Sequence, residues 1–467
     1  MSYTQIYLDR GREMKSVFSG LFLFFLSLAL FAEEKTLVQE DPNISSLDWG
    51  KIEGRIRLYH IFEPAYAKSG RENDYKINGS TIGGYIRYLS PEFSGFGATT
   101  ALYYARGTGL NDKNDVDTIM AAGRFFTKDY SPKAVLGELN VHYKDDRHYG
   151  VIGRYHIDSP LTNSIYTYMP NMFQAALYEN SSLSDTKIIV SQIEKMAYGT
   201  RSPVEFGLIG ELTRTAGATQ NGIDTRGDFL DIEKQTLADN NANTNGLTAF
   251  AVENSSFDNT KLRLWDFYAH DIINMFYVDT TYTNKKVSLP YSLSAQYLRI
   301  DSIGDDLADK WMDSDSAYLW GLKATLKYNK AFFHISYNHS GSSRILNPWS
   351  GDPAYTSTFF SRNAYRADVD AYKIGFNYDI LQNLKLITYY ADYGMSNTPG
   401  TFAPSKPIEL PVKLGEDDAI ETAVLLKYKP IEDLTILGGV IYKTSEYFYA
   451  GKQVELLDVD LVISYTF

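Results

Sequence analysis

The sequence predicts an all-β protein: a transmembrane antiparallel β-barrel of about 18 strands. Three observations carry this. The last stretch alternates with a period of two. Leu457, Val459, Leu461, Ile463, Tyr465 and Phe467 are apolar, and Asp458, Asp460, Ser464 and Thr466 stand between them, with Val462 as the exception. Helical spacing would scatter those aspartates into the apolar stripe. Next, a short apolar run near the N-terminus has the form of an export signal, and no later run offers the roughly 20 apolar residues of a helical span. Finally, 37 Tyr, 25 Phe and 5 Trp are spread through alternating segments. A membrane barrel needs that supply, because its outer band is apolar, its two rims are aromatic and its lumen is polar.

Taken in order, residues 1–13 do not resemble a signal n-region, and Met14 is read as the real start. Residues 14–32 are read as a signal peptide. Lys15 precedes an apolar core, Val17–Phe31, broken only by Ser19, Gly20 and Ser27, and Ala29 and Ala32 offer small residues for cleavage. Residues 33–50 are expected to form a short periplasmic segment and 51–467 the barrel. No Pro/Gly/Ser-rich linker divides that span. The chain has no cysteine, which excludes disulfides and thiolate chemistry. A net charge of −12 without a basic stretch argues against nucleic acid as a partner.

Many segments keep the strand period. Ile52, Ile56 and Leu58 oppose Glu53, Arg55 and Arg57. Tyr149, Val151, Gly153, Tyr155 and Ile157 oppose Arg154, His156 and Asp158, and the apolar set is expected to face lipid. Tyr318, Trp320, Leu322, Ala324, Leu326 and Tyr328 oppose Lys323, Thr325 and Lys327. Asn329-Lys330 then turns the chain tightly, and Phe333, Ile335 and Tyr337 return opposite His334, Ser336 and Asn338. Tyr372, Ile374, Phe376 and Tyr378 oppose Lys373, Gly375 and Asn377. About 19 candidate strands result, whereas bacterial barrels usually carry an even number. The stretch near 171–179 is the weakest candidate, and another lies near 205. The connections are polar, long and acidic, with Asp112, Asp115 and Asp117 and the runs 215–245 and 301–315, and the 301–315 run lacks the acid spacing of an EF-hand. They read as solvated loops.

No nucleophile elbow, zincin helix or phosphate loop is present, so no catalytic residue and no cofactor is assigned. His142, His148 and His156 read as polar strand residues rather than a zinc site, and no metal is assigned. The basic residues are more informative. With the polar phase inward, Arg55, Arg57, Arg87, Arg154, Lys323, Lys327, Lys373, Lys427 and Lys443 line the lumen, together with Glu53, Glu138, Glu211, Asp458 and Asp460. The plain reading is mixed charge that keeps a lumen hydrated. The sharper one is a cationic track, since guanidinium groups fit carboxylates in two-point fashion and conduction needs weak, repeated sites.

Several stretches resemble the OprD family of substrate-selective outer-membrane porins. They are TIGGYIRY at Thr81–Tyr88 with FSGFG at Phe93–Gly97, and GELNVHYK at Gly137–Lys144 with Gly153-Arg154. Further on come DSPLTN at Asp158–Asn163, MPNMFQ at Met169–Gln174, LWDFY at Leu264–Tyr268 with DIIN at Asp271–Asn274, and WSGDPAYT at Trp349–Thr356. They follow the family's order over most of 50–467. The resemblance implies an 18-stranded barrel, a narrow eyelet, an arginine ladder that includes Arg55, Arg57, Arg87 and Arg154, and diffusion of small carboxylate-bearing solutes. It implies an inward-folded constriction loop at 158–173, places Asp158, Tyr166, Tyr168 and Met169 in it, and adds Asp352 from the Gly-Asp-Pro motif. The family often has an arginine shortly before the loop proline. This chain has Tyr166-Thr-Tyr-Met-Pro170, which predicts a more aromatic eyelet. A final Phe on an alternating strand, Phe467, resembles the insertion signal of outer-membrane barrels.

The expectation is therefore a porin in the outer membrane of a Gram-negative bacterium that passes small hydrophilic solutes. Its other partners would be outer-membrane lipid, lipopolysaccharide and the insertion machinery, and it would be a monomer or trimer. The alternatives are a general, non-selective porin, a surface adhesin or structural barrel, and a barrel hydrolase.

Overall fold

Alternation of the kind just described folds only if every strand edge finds a partner in lipid, and closure achieves that. The computed structural model describes residues 49–67, 76–109, 131–163, 166–200, 219–220, 223–224, 226–232, 244–304, 308–312, 314–361, 363, 366–394, 416–447 and 452–467. Eighteen strands build the wall. The first nine are β1 (Lys51–Ala67), β2 (Lys76–Leu89), β3 (Phe96–Gly107), β4 (Lys133–Lys144), β5 (His148–Tyr155), β6 (Met172–Asn180), β7 (Thr186–Ala197), β8 (Leu247–Asn254) and β9 (Thr260–Ala269). The rest are β10 (Ile273–Asn284), β11 (Tyr291–Ser302), β12 (Ser316–Tyr328), β13 (Ala331–Ser340), β14 (Asp370–Leu381), β15 (Leu384–Tyr393), β16 (Glu416–Ile431), β17 (Leu434–Tyr447) and β18 (Lys452–Thr466). Each pairs antiparallel with the next. β1 closes on β18 in a register running from Arg55↔Thr466 to Ala67↔Val454.

The outer face is apolar. Val141 and Ile152 are 62% and 66% exposed, and Leu139, Leu322, Ile335, Ile374 and Val424 are exposed with them. Exposed aromatics sit at both ends of this band. Phe96, Tyr328, Tyr378, Tyr428 and Tyr465 mark one edge, and Tyr268, Tyr318, Trp320, Tyr372 and Tyr390 the other. This is the two-girdle pattern of a membrane barrel. At the first edge the connections are short, as in the two-residue turn 329–330, where Asn329 takes φ 50°. Tight turns of this type require positive φ, which Asn tolerates. In outer-membrane barrels the short turns face the periplasm. The long connections 156–171, 198–246 and 341–369 leave from the opposite edge.

Two sequence expectations need correction. The stretch near 171–179 is a full strand, β6, paired on both sides with β5 and β7. The candidate near 205 lies outside the described residues, as do 1–48, Asp112, Asp115, Asp117 and Glu211. The phase of β5 is also inverted: Val151, Tyr155 and Ile157 are buried, while Ile152 faces out. The reason is a second apolar environment. On the inner side of β5–β12, residues such as Ile193, Trp265, Phe267, Tyr277 and Leu319 form one cluster with Leu161, Leu346 and Trp349 of the long connections. Where a lumen is filled by packed chain, the inner wall must be apolar too.

Elsewhere the phase is as alternation predicts, and it can be read chemically. A cysteine at Lys327 should react with a water-soluble thiol reagent in membranes, and one at Leu322 should stay unlabelled. Labelling of 322 but not 327 would overturn the register.

Candidate functional site

Two inward connections bridge the lumen. The first, 156–171, leaves β5 through a turn in which Thr162 Oγ1 donates to the Ile157 carbonyl at 2.6 Å. His156 and the Asn171 carbonyl close its neck at 2.9 Å. Its tip lies on β1 and β2. Arg55 Nη2 donates to the Tyr168 carbonyl at 3.0 Å and to Thr167 at 3.4 Å. Arg57 Nη1 donates to the Thr167 and Tyr166 carbonyls, and its Nε to Ser464 Oγ of β18 at 2.8 Å. Tyr168 is fully buried, its hydroxyl 2.6 Å from Thr81 Oγ1. Its ring lies against Gly83, where a Cβ would come within 2.7 Å of Tyr168 Cδ1. The first glycine of the pair in the TIGGYIRY stretch thus makes room for an aromatic ring against the wall. Thr200 Oγ1 accepts from the Tyr168 and Met169 amides at 2.8 and 3.0 Å.

The second connection, 341–369, meets the first and continues across. Asn347 Nδ2 donates to the Leu161 carbonyl at 3.0 Å, Gly351 N to the same carbonyl at 3.1 Å, and Asn171 Nδ2 to the Trp349 carbonyl at 2.9 Å. Its far side reaches β13–β16. Tyr393 OH donates to the Thr356 carbonyl at 2.6 Å, Lys373 Nζ to the Ser357 carbonyl at 2.6 Å, and Glu421 accepts from the turn 358–361. Burying Leu161, Leu346 and Trp349 adds on the order of 5–8 kcal/mol to the hold on these connections. Burial also pushes the phenols of Tyr168 and Tyr198 above their usual range, so both remain neutral, and Tyr198 OH donates to the Pro348 carbonyl at 2.7 Å. The bridge runs from β1–β2 to β16. On one side lies the apolar core. On the other, the inner faces of β16, β17, β18 and β1 carry Glu421, Lys443, Asp458, Asp460, Tyr59, Ser464 and Arg57.

Solved structures share this architecture. OccAB4 of Acinetobacter baumannii superposes with a TM-score of 0.64 at 15% identity, over 90% of this chain and 98% of that one. OccK9 (OpdG) of Pseudomonas aeruginosa gives 0.65 at 12%, over 89% and 98%, and P. aeruginosa OpdK with vanillate gives 0.63 at 12%, over 89% and 98%. The fold is that of the OprD-type channels. No family model and no curated protein sequence matches the chain, so at this identity the likeness speaks for the fold alone.

Within the OprD-type fold, the basic residues divide into groups. Arg87 is neutralised: it meets Glu53 at 2.8 Å and Glu138 at 2.5 Å, and Glu138 also accepts from Tyr103 OH at 2.6 Å. Arg55 and Arg57 meet no carboxylate among the described residues and spend their donors on loop carbonyls and Ser464. Arg154 lies near the end of β5 as the ladder partner of Leu139, just after Gly153, which takes φ 130°. Its guanidinium stands 4.2 Å from the Phe229 ring centroid, and its Nε is 3.4 Å from Gln174 Oε1. The opposite wall holds the lysines. Lys323 lies 5.9 Å from the Tyr355 ring centroid, and Lys327 lies 5.2 Å from that of Phe332. Lys427 is exposed on the inner phase of β16, and Lys443 is buried beside Glu421 in the ladder. Lys323, Lys327 and Lys427 have no carboxylate within ion-pair distance among the described residues.

Of the residues assigned to the constriction loop, Tyr166, Tyr168 and Met169 form its tip, with Arg55 5.4 Å from the Tyr166 ring centroid. Asp158 is at its exposed start, accepting from Asn163 Nδ2. The connection ends at Asn171, since β6 begins at Met172. Asp352 belongs to the second connection, where it accepts from Ser357 Oγ at 2.7 Å. The three histidines do not converge: His148 stacks on Tyr178, His142 lies near Tyr149, and His156 serves the loop neck. Glu421, Thr200 and Asn347 were not singled out from sequence. Only Glu421 had a signal, an acid between Ala419 and Ala423 on the inner phase of an alternating strand.

Proposed function

We propose that the protein is an outer-membrane channel for passive diffusion of small hydrophilic solutes, with a preference for organic solutes that carry a carboxylate. The observation that carries the reading is the two-part bridge across a closed barrel. It narrows the lumen, and a polar arc on β16–β18 and β1 faces the bridge on the side away from the apolar core, where the passage would run. The preference rests on inner-wall cations that no carboxylate neutralises among the described residues: Arg55 and Arg57 on one wall, and Lys323, Lys327 and Lys427 on the other. One structural relative was solved with vanillate, an aromatic carboxylate, which supports the same solute class here. Export with residues 14–32 removed, and insertion as a monomer or trimer, belong to this proposal. Channel relatives rather than enzymes, and the lack of an assembled catalytic set in the sequence, favour transport over hydrolysis. The non-selective porin is the competing reading.

Planar-bilayer recording of the purified protein tests the channel, and a barrel that never conducts would mean a structural or adhesive role. Liposome uptake tests the preference. Changing both Lys323 and Lys427 to Gln should slow benzoate about tenfold, the effect of weakening one carboxylate contact by about 1.4 kcal/mol. A neutral solute of equal size should be nearly unaffected. Equal slowing of both would leave a non-selective sieve.

A further inference from the structure

The carboxylate of Glu421 is fully buried, yet no lysine or arginine lies within ion-pair distance of it among the described residues. Neutral donors hold it instead. Thr358 Oγ1 donates to it at 2.8 Å, Phe359 N at 3.0 Å, Phe360 N at 3.1 Å, Ser361 N at 2.8 Å and Tyr389 OH at 2.6 Å. Four of these donors belong to one turn of the second connection, and three are successive backbone amides. Successive amides curled around one point form a concave anion site. A buried carboxylate needs such partners, and a row of amides needs such an anion. The two halves sit on separate elements: the anion on a wall strand, the cup on chain that crosses the lumen.

We infer that the turn 358–361 is a carboxylate-binding nest whose resident ligand is Glu421, and that this contact latches the second inward connection across the passage. Glu421 is then a positioning residue. It sets the bore without touching solute. The turn also packs Phe359 and Phe360 against Ala423, Leu425 and Ile441, so its release moves two aromatic rings at the edge of the polar arc. Because all five donors, three amides and two hydroxyls, meet the carboxylate oxygens, the cup recognises the carboxylate group and not the glutamate around it. A small free carboxylate should occupy the cup when the side chain is removed.

This inference rests on the channel reading for one of its two readouts. The test compares the wild type with Glu421→Gly, both as full-length folded barrels. In planar bilayers at constant ionic strength, Glu421→Gly should switch between conductance levels about tenfold more often than the wild type. Formate substituted for chloride should return it towards the quiet trace and leave the wild type unchanged. Independently of conduction, chymotrypsin should cut after Phe359 or Phe360 about tenfold faster in Glu421→Gly, and formate should protect. If Glu421→Gly does not fold, Tyr389→Phe removes one donor and keeps the ring, and should raise switching and cleavage by about threefold. Unchanged traces and unchanged cleavage would overturn the latch. Faster cleavage without formate protection would overturn the nest. A wild type that never conducts would sink the channel reading and leave the cleavage result to decide the latch.

Discussion

Replacing Arg55 and Arg57 together by Ala should open the channel rather than only change its charge preference. The two guanidinium groups hold the Tyr166, Thr167 and Tyr168 carbonyls, the part of the first connection furthest from its roots. Hydrogen bonds to a charged partner contribute about 1.5–3 kcal/mol each. Losing two net contacts of this kind costs about 3–6 kcal/mol, which shifts the docked-to-undocked ratio of the tip about 10²–10⁴-fold. The Thr200 bonds and the burial of Tyr168 and Met169 remain, so the loop should loosen and not leave. Single-channel conductance should rise, current noise should increase, and carboxylate and neutral solutes should both pass faster. Arg57→Lys should be intermediate, because a point charge cannot span two carbonyls and Ser464 as a fork does. A double variant with wild-type conductance and slower carboxylate passage would show that the arginines act on solute and not on the loop.

Deleting Phe467 should reduce barrel assembly in cells far more than it weakens the finished barrel. In the closed wall Phe467 N donates to the Gly54 carbonyl at 3.0 Å and Gly54 N to the Phe467 carbonyl at 2.9 Å. The ring covers Gly54, where a Cβ would lie 2.5 Å from Phe467 Cζ. These contacts sum to a few kcal/mol, and the rest of the β1–β18 seam, from Arg55↔Thr466 onward, is untouched. Refolded in detergent, the truncated chain should keep its heat-modifiable gel shift. In cells, its surface level should fall about tenfold or more, a change that the loss of two hydrogen bonds in a long seam does not produce. Gly54→Val separates the two effects, since it leaves Phe467 in the sequence and denies its ring a seat. That variant should be recognised normally but close slowly. Normal surface levels after deletion would remove Phe467 from recognition.

Much of the fold was legible in the sequence because alternation is a local property. Ile335 and Ser336, or Lys373 and Ile374, declare their faces without reference to any distant residue. The failures share one cause. Val151, Tyr155 and Ile157 are apolar for the sake of Leu161 and Trp349, which arrive from other parts of the chain, and the rule that apolar means lipid inverts there. β6 is hard to read for a related reason, since its inner residues, Phe173 and Ala175, are as apolar as its outer ones. The site was legible by residue type and less so by role. Arg55 and Arg57 were found, but whether a guanidinium meets solute or a peptide carbonyl depends on where residues 166–168 come to rest. Glu421 could be seen as an inward acid, yet its five donors lie some sixty residues earlier or on a neighbouring strand.

The core inside the lumen has a consequence for the chain before it reaches a membrane. In β7–β10, Val190, Phe250, Tyr268 and Phe276 are presented on one face, and Ile193, Ala251, Phe267 and Met275 on the other. An unfolded porin with a wet lumen offers water one sticky side per strand. This chain offers two over that quarter, and such segments pair with one another as readily as with their intended neighbours. Its passage through an aqueous compartment should therefore lean heavily on holdase chaperones, and the segment 186–284 should be the part they cover. Crosslinking of a holdase to the unfolded chain should be densest there, and an even spread along the whole wall would show that the filled lumen leaves no mark on transit.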